Sequence, residues 1–127
     1  MKNRIVIVDD SESTRLVVKM ALAKFGVTII EACDGKEALE LFDGRRINLL
    51  ITDYNMPHMN GAELIKSVRA IGNYSVLPII LLTGKIKDLK DEELTDDIEA
   101  WIQKPFMKAD FLTKVGLCLK KSQVISR

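Results

Sequence analysis

Short apolar runs recur along the chain at nearly even spacing: IVIV at 5–8, VTII at 27–30, INLLI at 47–51, LPIILL at 77–82 and a weaker AWIQ at 100–103. Each has the length of a strand. Between them, apolar residues return every three or four positions. Val17, Val18, Ala21, Leu22 and Phe25 share one face, as do Ala38, Leu39 and Phe42, then Ala62, Ile65 and Val68, then Phe111, Leu112, Val115 and Leu119. That is the helical period. The first four strands read as continuous rather than alternating apolar runs, the pattern of a parallel sheet covered by helices on both faces. The expected fold class is therefore α/β, a doubly wound five-stranded parallel sheet. The punctuation agrees: Gly26 closes the first helix, Asp34 with Gly35 opens the second, Gly44 ends it, and Asn60 with Gly61 opens the third. Residues 85–99 carry three lysines against seven acids and a thin apolar face of Ile86, Leu89, Leu94 and Ile98. A short fourth helix is expected there.

Composition narrows the picture. At 127 residues and 47% hydrophobic, the chain suits one domain with one core, spanning 1–127 without an output domain. Nineteen basic residues nearly cancel eighteen acidic ones, so the overall charge gives no reason to expect direct nucleic-acid or membrane binding. The apolar stretch before Asp9 is too short for a signal peptide, and no run approaches a membrane span. A soluble, cytoplasmic protein is expected. Cys33 and Cys118 lie far apart in apolar contexts and read as reduced core residues.

The chemistry gathers at the strand ends. In open parallel sheets, function collects where the carboxyl ends of the strands converge. The first strand delivers Asp9 and Asp10, the third Asp53, the fourth Thr83 and the fifth Lys104. Three carboxylates at neighbouring strand ends repel one another, and a hard cation that takes oxygen ligands relieves them. Mg2+ fits, because it binds through one or two carboxylates plus a phosphate and leaves an acid able to react. Asp53 is the candidate nucleophile toward a phosphoryl group, with Lys104 neutralising developing charge and Thr83 donating a hydrogen bond. Gly84 lets a phosphoryl group approach its backbone N–H. Taken singly, each residue has a plainer reading. Asp9 and Asp10 would cap the first helix, Asp53 would form a turn, Thr83 would end a strand, and Lys104 would be a solvated lysine aimed by Pro105. Their joint placement on four strand ends favours the site. His58, alone in the loop after Pro57, reads as a surface residue.

The ordered set VDDS, DYNMP followed by NGAEL, LLTG and KPF resembles the receiver domain of two-component response regulators, the stand-alone CheY-like members in particular. The resemblance covers nearly the whole chain. It implies strand order 2-1-3-4-5 with five helices, Asp53 as phosphoryl acceptor, Asp9 and Asp10 as the acidic pair at the magnesium, and the Asn55 backbone carbonyl completing the metal site. It also implies Thr83 as the switch hydroxyl, Lys104 as the family's lysine, a cis Lys104–Pro105 bond, and Trp101 as the switch aromatic, where the family more often has tyrosine or phenylalanine. The small residues the family carries before the fifth strand are replaced here by LTDDIEA. Implied partners are a sensor histidine kinase or a histidine phosphotransfer protein upstream, and a downstream protein reached through the face formed by the fourth helix, fifth strand and last helix. Pairing with a second copy through that face is a further expectation. The placement of Asn55 and Lys85 suggests that they influence hydrolysis of the aspartyl phosphate.

Three other classes compete. An enzyme of the haloacid dehalogenase type needs a second acid two residues past its nucleophile, where this chain has Asn55. A flavodoxin-like carrier would use SEST as a phosphate loop, but Asp9 and Asp10 stand immediately before it and repel a flavin phosphate. A receiver that no longer takes up phosphate would lack a site residue, and every expected one is present.

Overall fold

In the computed structural model, residues 2–85 and 96–125 are described. Five strands form one parallel sheet: β1 (Arg4–Val8), β2 (Thr28–Ala32), β3 (Leu49–Thr52), β4 (Ile79–Thr83) and β5 (Ala100–Gln103), in the order β2-β1-β3-β4-β5. This is the expected architecture. Among the described residues there are four α-helices: α1 (Glu12–Leu22), α2 (Gly35–Leu39), α3 (Gly61–Arg69) and α4 (Lys108–Ile125). The expected helix within 85–99 falls mostly on residues 86–95, which lie outside the described residues.

The sheet is sandwiched between two apolar layers. Because side chains alternate across a strand, Val6 and Val8 of β1 face one layer with Leu50, Ile79, Leu81, Leu64, Ile65, Val68, Phe42 and Tyr74. Ile5 and Ile7 face the other with Leu49, Ile51, Ile80, Leu82, Val18, Leu22, Phe111 and Val115. Burial on both faces is why β1, β3 and β4 read as unbroken apolar runs. The edge strand β2 departs from that expectation. Thr28 and Glu31 are exposed, and Glu31 pairs with Arg15 and Lys19 of α1 at 3.0 and 2.9 Å.

Local signals set the helix ends. Ser11, rather than Asp9 or Asp10, caps α1, its hydroxyl accepting from Thr14 N at 3.2 Å. A 3-10 turn at Ala23–Phe25 extends α1 and closes on Gly26, whose φ of 61° is the left-handed conformation that glycine adopts without penalty. Asp34 caps α2, and Asn60 with Glu63 forms a reciprocal capping box on α3. Three expectations need correction. Val17 is exposed, because the buried stripe of α1 is the narrower set Val18, Ala21 and Leu22. Cys33 is also exposed, at the end of the edge strand, donating to Glu37 Oε2 at 2.9 Å, while Cys118 is buried as expected. α2 stops at Leu39, so Gly44 does not end it: the chain leaves the helix in tight turns, Leu41 N donating to Ala38 O and Phe42 N to Leu39 O, and Phe42 packs into the core from beyond the helix.

Candidate functional site

Parallel pairing brings the carboxyl ends of β1, β3, β4 and β5 to one edge of the sheet. Asp9 follows β1 and Asp53 follows β3, each anchored by its own amide: Asp9 N donates to Ala32 O at 3.2 Å and Asp53 N to Val8 O at 3.0 Å. Both side chains are buried, while Asp10 is exposed. Thr83 ends β4 and is buried, and its carbonyl accepts from Lys104 N at 2.8 Å, which seats the lysine just past β5. The Lys104–Pro105 peptide is cis. A Cβ placed on Gly84 would meet nothing within 4 Å, so the space beside it is open.

Carboxylate oxygens of Asp9, Asp10 and Asp53 lie within 4.8 Å of one another. Two unit charges at such separations repel by roughly 3–4 kcal/mol at an effective dielectric of about 20. Lys104 relieves part of this, its Nζ lying 3.1 Å from Asp9 Oδ2 and 3.3 Å from Asp53 Oδ2. The other oxygens are held by the main chain: Asp9 Oδ1 accepts from Ser11 N at 2.8 Å, and Asp53 Oδ1 from Tyr54 N at 2.7 Å. Burial pushes the Asp53 carboxyl above its ordinary range. Lys104 opposes that rise and Asp9 adds to it. Burial works against the charged form of Lys104, but Asp53 and Asp9 outweigh it and hold the ammonium above its usual pKa. One ammonium against three carboxylates leaves the cluster anionic.

The donor set offers oxygen only, anionic and closely spaced, at the mouth of a partly dry cleft. That chemistry suits a hard divalent cation such as Mg2+.

The sequence-predicted residues Asp9, Asp10, Asp53 and Lys104 are thus brought together, with Thr83 on the adjoining strand end. Asn55 is exposed in the loop that follows Asp53. Trp101 lies on the edge strand, 38% exposed. His58, at φ 70°, is exposed and faces α2, where it lines a shallow cleft with Asp34, Lys36, Glu37 and Glu40. One contact at the site was not foreseen: the Arg15 guanidinium donates to the Asp9 carbonyl. Nothing in the sequence signals it, since Arg15 reads there as one more basic residue on a solvated helix face.

A model of the response regulator receiver domain matches residues 5–116. This chain belongs to that family. The receiver is 38% identical to chemotaxis protein CheY1 of Helicobacter pylori over 108 residues, covering 81% of this chain and 86% of that protein. It is 35% identical to chemotaxis protein CheY of Pseudomonas aeruginosa over 105 residues, 81% of this chain and 85% of that one. Among solved structures it resembles the chemotaxis response regulator CheY4 of Vibrio cholerae, with a TM-score of 0.84 and 33% identity over 94% of this chain and all of that one. The chain is thus a CheY-like receiver domain of two-component signalling. No helix among the described residues is long and apolar enough to cross a membrane.

Proposed function

We propose that this receiver accepts a phosphoryl group on Asp53 and signals by protein contact. The observation that carries the reading is the convergence of Asp9, Asp10, Asp53 and Lys104 at one end of the sheet, in a chain of the receiver family. The reaction is a displacement at phosphorus. An Asp53 carboxylate oxygen forms a bond to phosphorus as the bond to the donor's leaving group breaks, yielding an aspartyl phosphate and the free donor. Tyr54 N holds the other Asp53 oxygen and so orients the attacking one. Lys104 Nζ, already poised between Asp9 and Asp53, transfers its contact to a phosphoryl oxygen. The Thr83 hydroxyl and the Gly84 N–H donate to the remaining oxygens. Asp9, Asp10 and Asp53, with the Asn55 backbone carbonyl, would hold Mg2+, which when bound neutralises charge on the phosphoryl oxygens. Turnover is stoichiometric: the domain catalyses its own phosphorylation and dephosphorylation and no other reaction.

The phosphodonor is a sensor histidine kinase or a histidine phosphotransfer protein. A groove of about 710 Å³, lined by Val17, Met20, Phe106 and Lys108, opens beside the site and shares Lys104 with it, so a protein covering the groove would place its phosphohistidine next to Asp53. Output runs through β5 and α4, with Thr83 and Trp101 as the switch pair and Glu99, just before β5, against the basic last helix. Lys121 of α4 already pairs with Glu99 there. The added negative charge draws Thr83 and Lys104 inward and biases that face toward a downstream protein or a second copy. The protein acts in the cytoplasm, without direct nucleic-acid or membrane contact.

The test is intact mass spectrometry after incubation with Mg2+ and acetyl phosphate. The expected result is the addition of a single phosphoryl group, absent without Mg2+ and absent in Asp53→Asn. Addition that survives in Asp53→Asn, or none in the native chain, overturns the reading.

A further inference from the structure

The loop that carries Asp53 is pressed against the first residue of α3. A Cβ built on Gly61 would stand 2.4 Å from the Asp53 carbonyl oxygen, 2.9 Å from Tyr54 Cα and 3.2 Å from the Asp53 carbonyl carbon. All three are main-chain atoms, which unlike the end of a flexible side chain cannot step aside. Gly61 does not have the left-handed conformation of Gly26 and Gly44, so what the position demands is space rather than backbone freedom.

Neither side of this contact is free to retreat. Gly61 N donates to Tyr54 O at 2.7 Å, and the capping box at Asn60 and Glu63 fixes the start of the helix, with bonds of 3.1 and 2.9 Å. Ala62, Leu64 and Ile65 anchor α3 in the core. Across the contact, Asp53 is bound to β1 through Val8 O, and Tyr54 N holds its carboxylate. A side chain at position 61 must therefore displace the Asp53–Tyr54 peptide, and through Tyr54 N the displacement reaches the carboxylate.

We infer that Gly61 is a positioning residue for the phosphoryl acceptor: by bringing α3 against the main chain of Asp53, it sets where that carboxylate stands relative to Lys104. The inference rests on Asp53 being the acceptor. Two other glycines supply contrasts. A Cβ on Gly35 would meet Met59, with its carbonyl oxygen at 2.8 Å and side-chain atoms at 3.0 Å, at the far end of the same loop. A Cβ on Gly72 would meet nothing within 4 Å.

The experiment measures initial rates of phosphoryl uptake with Mg2+ over a range of acetyl phosphate concentrations, for the native chain, Gly61→Ala, Gly35→Ala and Gly72→Ala. The temperature is one at which circular dichroism shows each to be folded. Misplacing a reacting group by about 1 Å costs up to roughly a hundredfold in rate, so Gly61→Ala is expected to lower the maximal rate by at least about tenfold with little change in half-saturation. Gly72→Ala should match the native chain, and Gly35→Ala should stand nearer to it than Gly61→Ala does. A folded Gly61→Ala that reacts at the native maximal rate, that loses rate only in proportion to its unfolded fraction, or that Gly35→Ala equals, overturns the inference. No uptake by the native chain would instead remove the acceptor reading beneath it. If Gly61→Ala does not fold, Asn60→Ala, which loosens the same helix start, carries the test. A several-fold fall in its maximal rate supports the inference, and a native rate overturns it.

Discussion

At the scale of residues, the site holds charges that the fold alone would not favour. Burial raises the pKa of Asp53, so its folded-state value exceeds the unfolded one. Stability tied to this group is present below the unfolded pKa and is lost as pH rises through the folded one. At neutral pH the ionised carboxylate therefore costs stability. Asp53→Asn should raise the melting temperature by a few degrees without Mg2+ at pH 7, a gain that shrinks as pH falls through the carboxylate range. Added Mg2+ should stabilise the native chain more than the variant, and calorimetry reads both effects. A second titration lies outside the site. The Cys33 thiol is pushed up chiefly by its hydrogen bond to Glu37, whereas burial takes Cys118 to about 11. Glu37→Gln should lower the Cys33 pKa and speed its alkylation by iodoacetamide several-fold at pH 8, with Cys118 unreactive in the folded protein. The acids and Lys104 were legible in the sequence because each follows an apolar run at the same end of a strand. Two other contacts were hidden, Arg15 on the Asp9 carbonyl and the approach of Gly61 to Asp53. A cap or turn residue looks the same in sequence whichever main-chain atom it touches.

At the scale of elements, α1 shows what periodicity can and cannot say. Its apolar residues outnumber the buried ones: Leu16, Val17 and Met20 are more than half exposed. A spacing rule sees one broad stripe, whereas the sheet takes only Val18, Ala21 and Leu22. Of the others, Val17 and Met20 form the apolar side of the groove beside Lys104. Met20→Asp should slow phosphoryl transfer from a protein donor at least about fivefold while leaving uptake from acetyl phosphate unchanged. Stability should move by no more than about 0.5 kcal/mol, since the side chain is on the surface. Paired kinetics with the two donors and a thermal melt check this together. The strands were read more accurately than the helices because β1, β3 and β4 are buried on both faces and leave no polar register to misjudge. The edge strand β2 lacks that constraint: its Glu31, and Cys33 just past its end, turn to solvent.

At the scale of the molecule, the sheet order places the site and the expected output face at opposite ends of a short path. Thr83 is the last residue of β4, pairs in register with Gln103 and receives Lys104 N. Trp101 stands two residues before Gln103 on the same edge strand. With the sole indole of the chain part-exposed at that edge, phosphorylation should change its fluorescence by a readily measured fraction. Thr83→Ala should still take up phosphate but lose most of that change. Near-zero net charge told nothing of this, because the molecule's electrostatics are local: an anionic cleft, and a basic α4 that meets Glu99 through Lys121. The most direct measurement is to treat the protein with Mg2+ and acetyl phosphate, trap the acyl phosphate with sodium borohydride, and map the modified peptide by mass. The account predicts homoserine at position 53 and nowhere else, only when Mg2+ is present. Reduction at any other acid, or none at all, would contradict it.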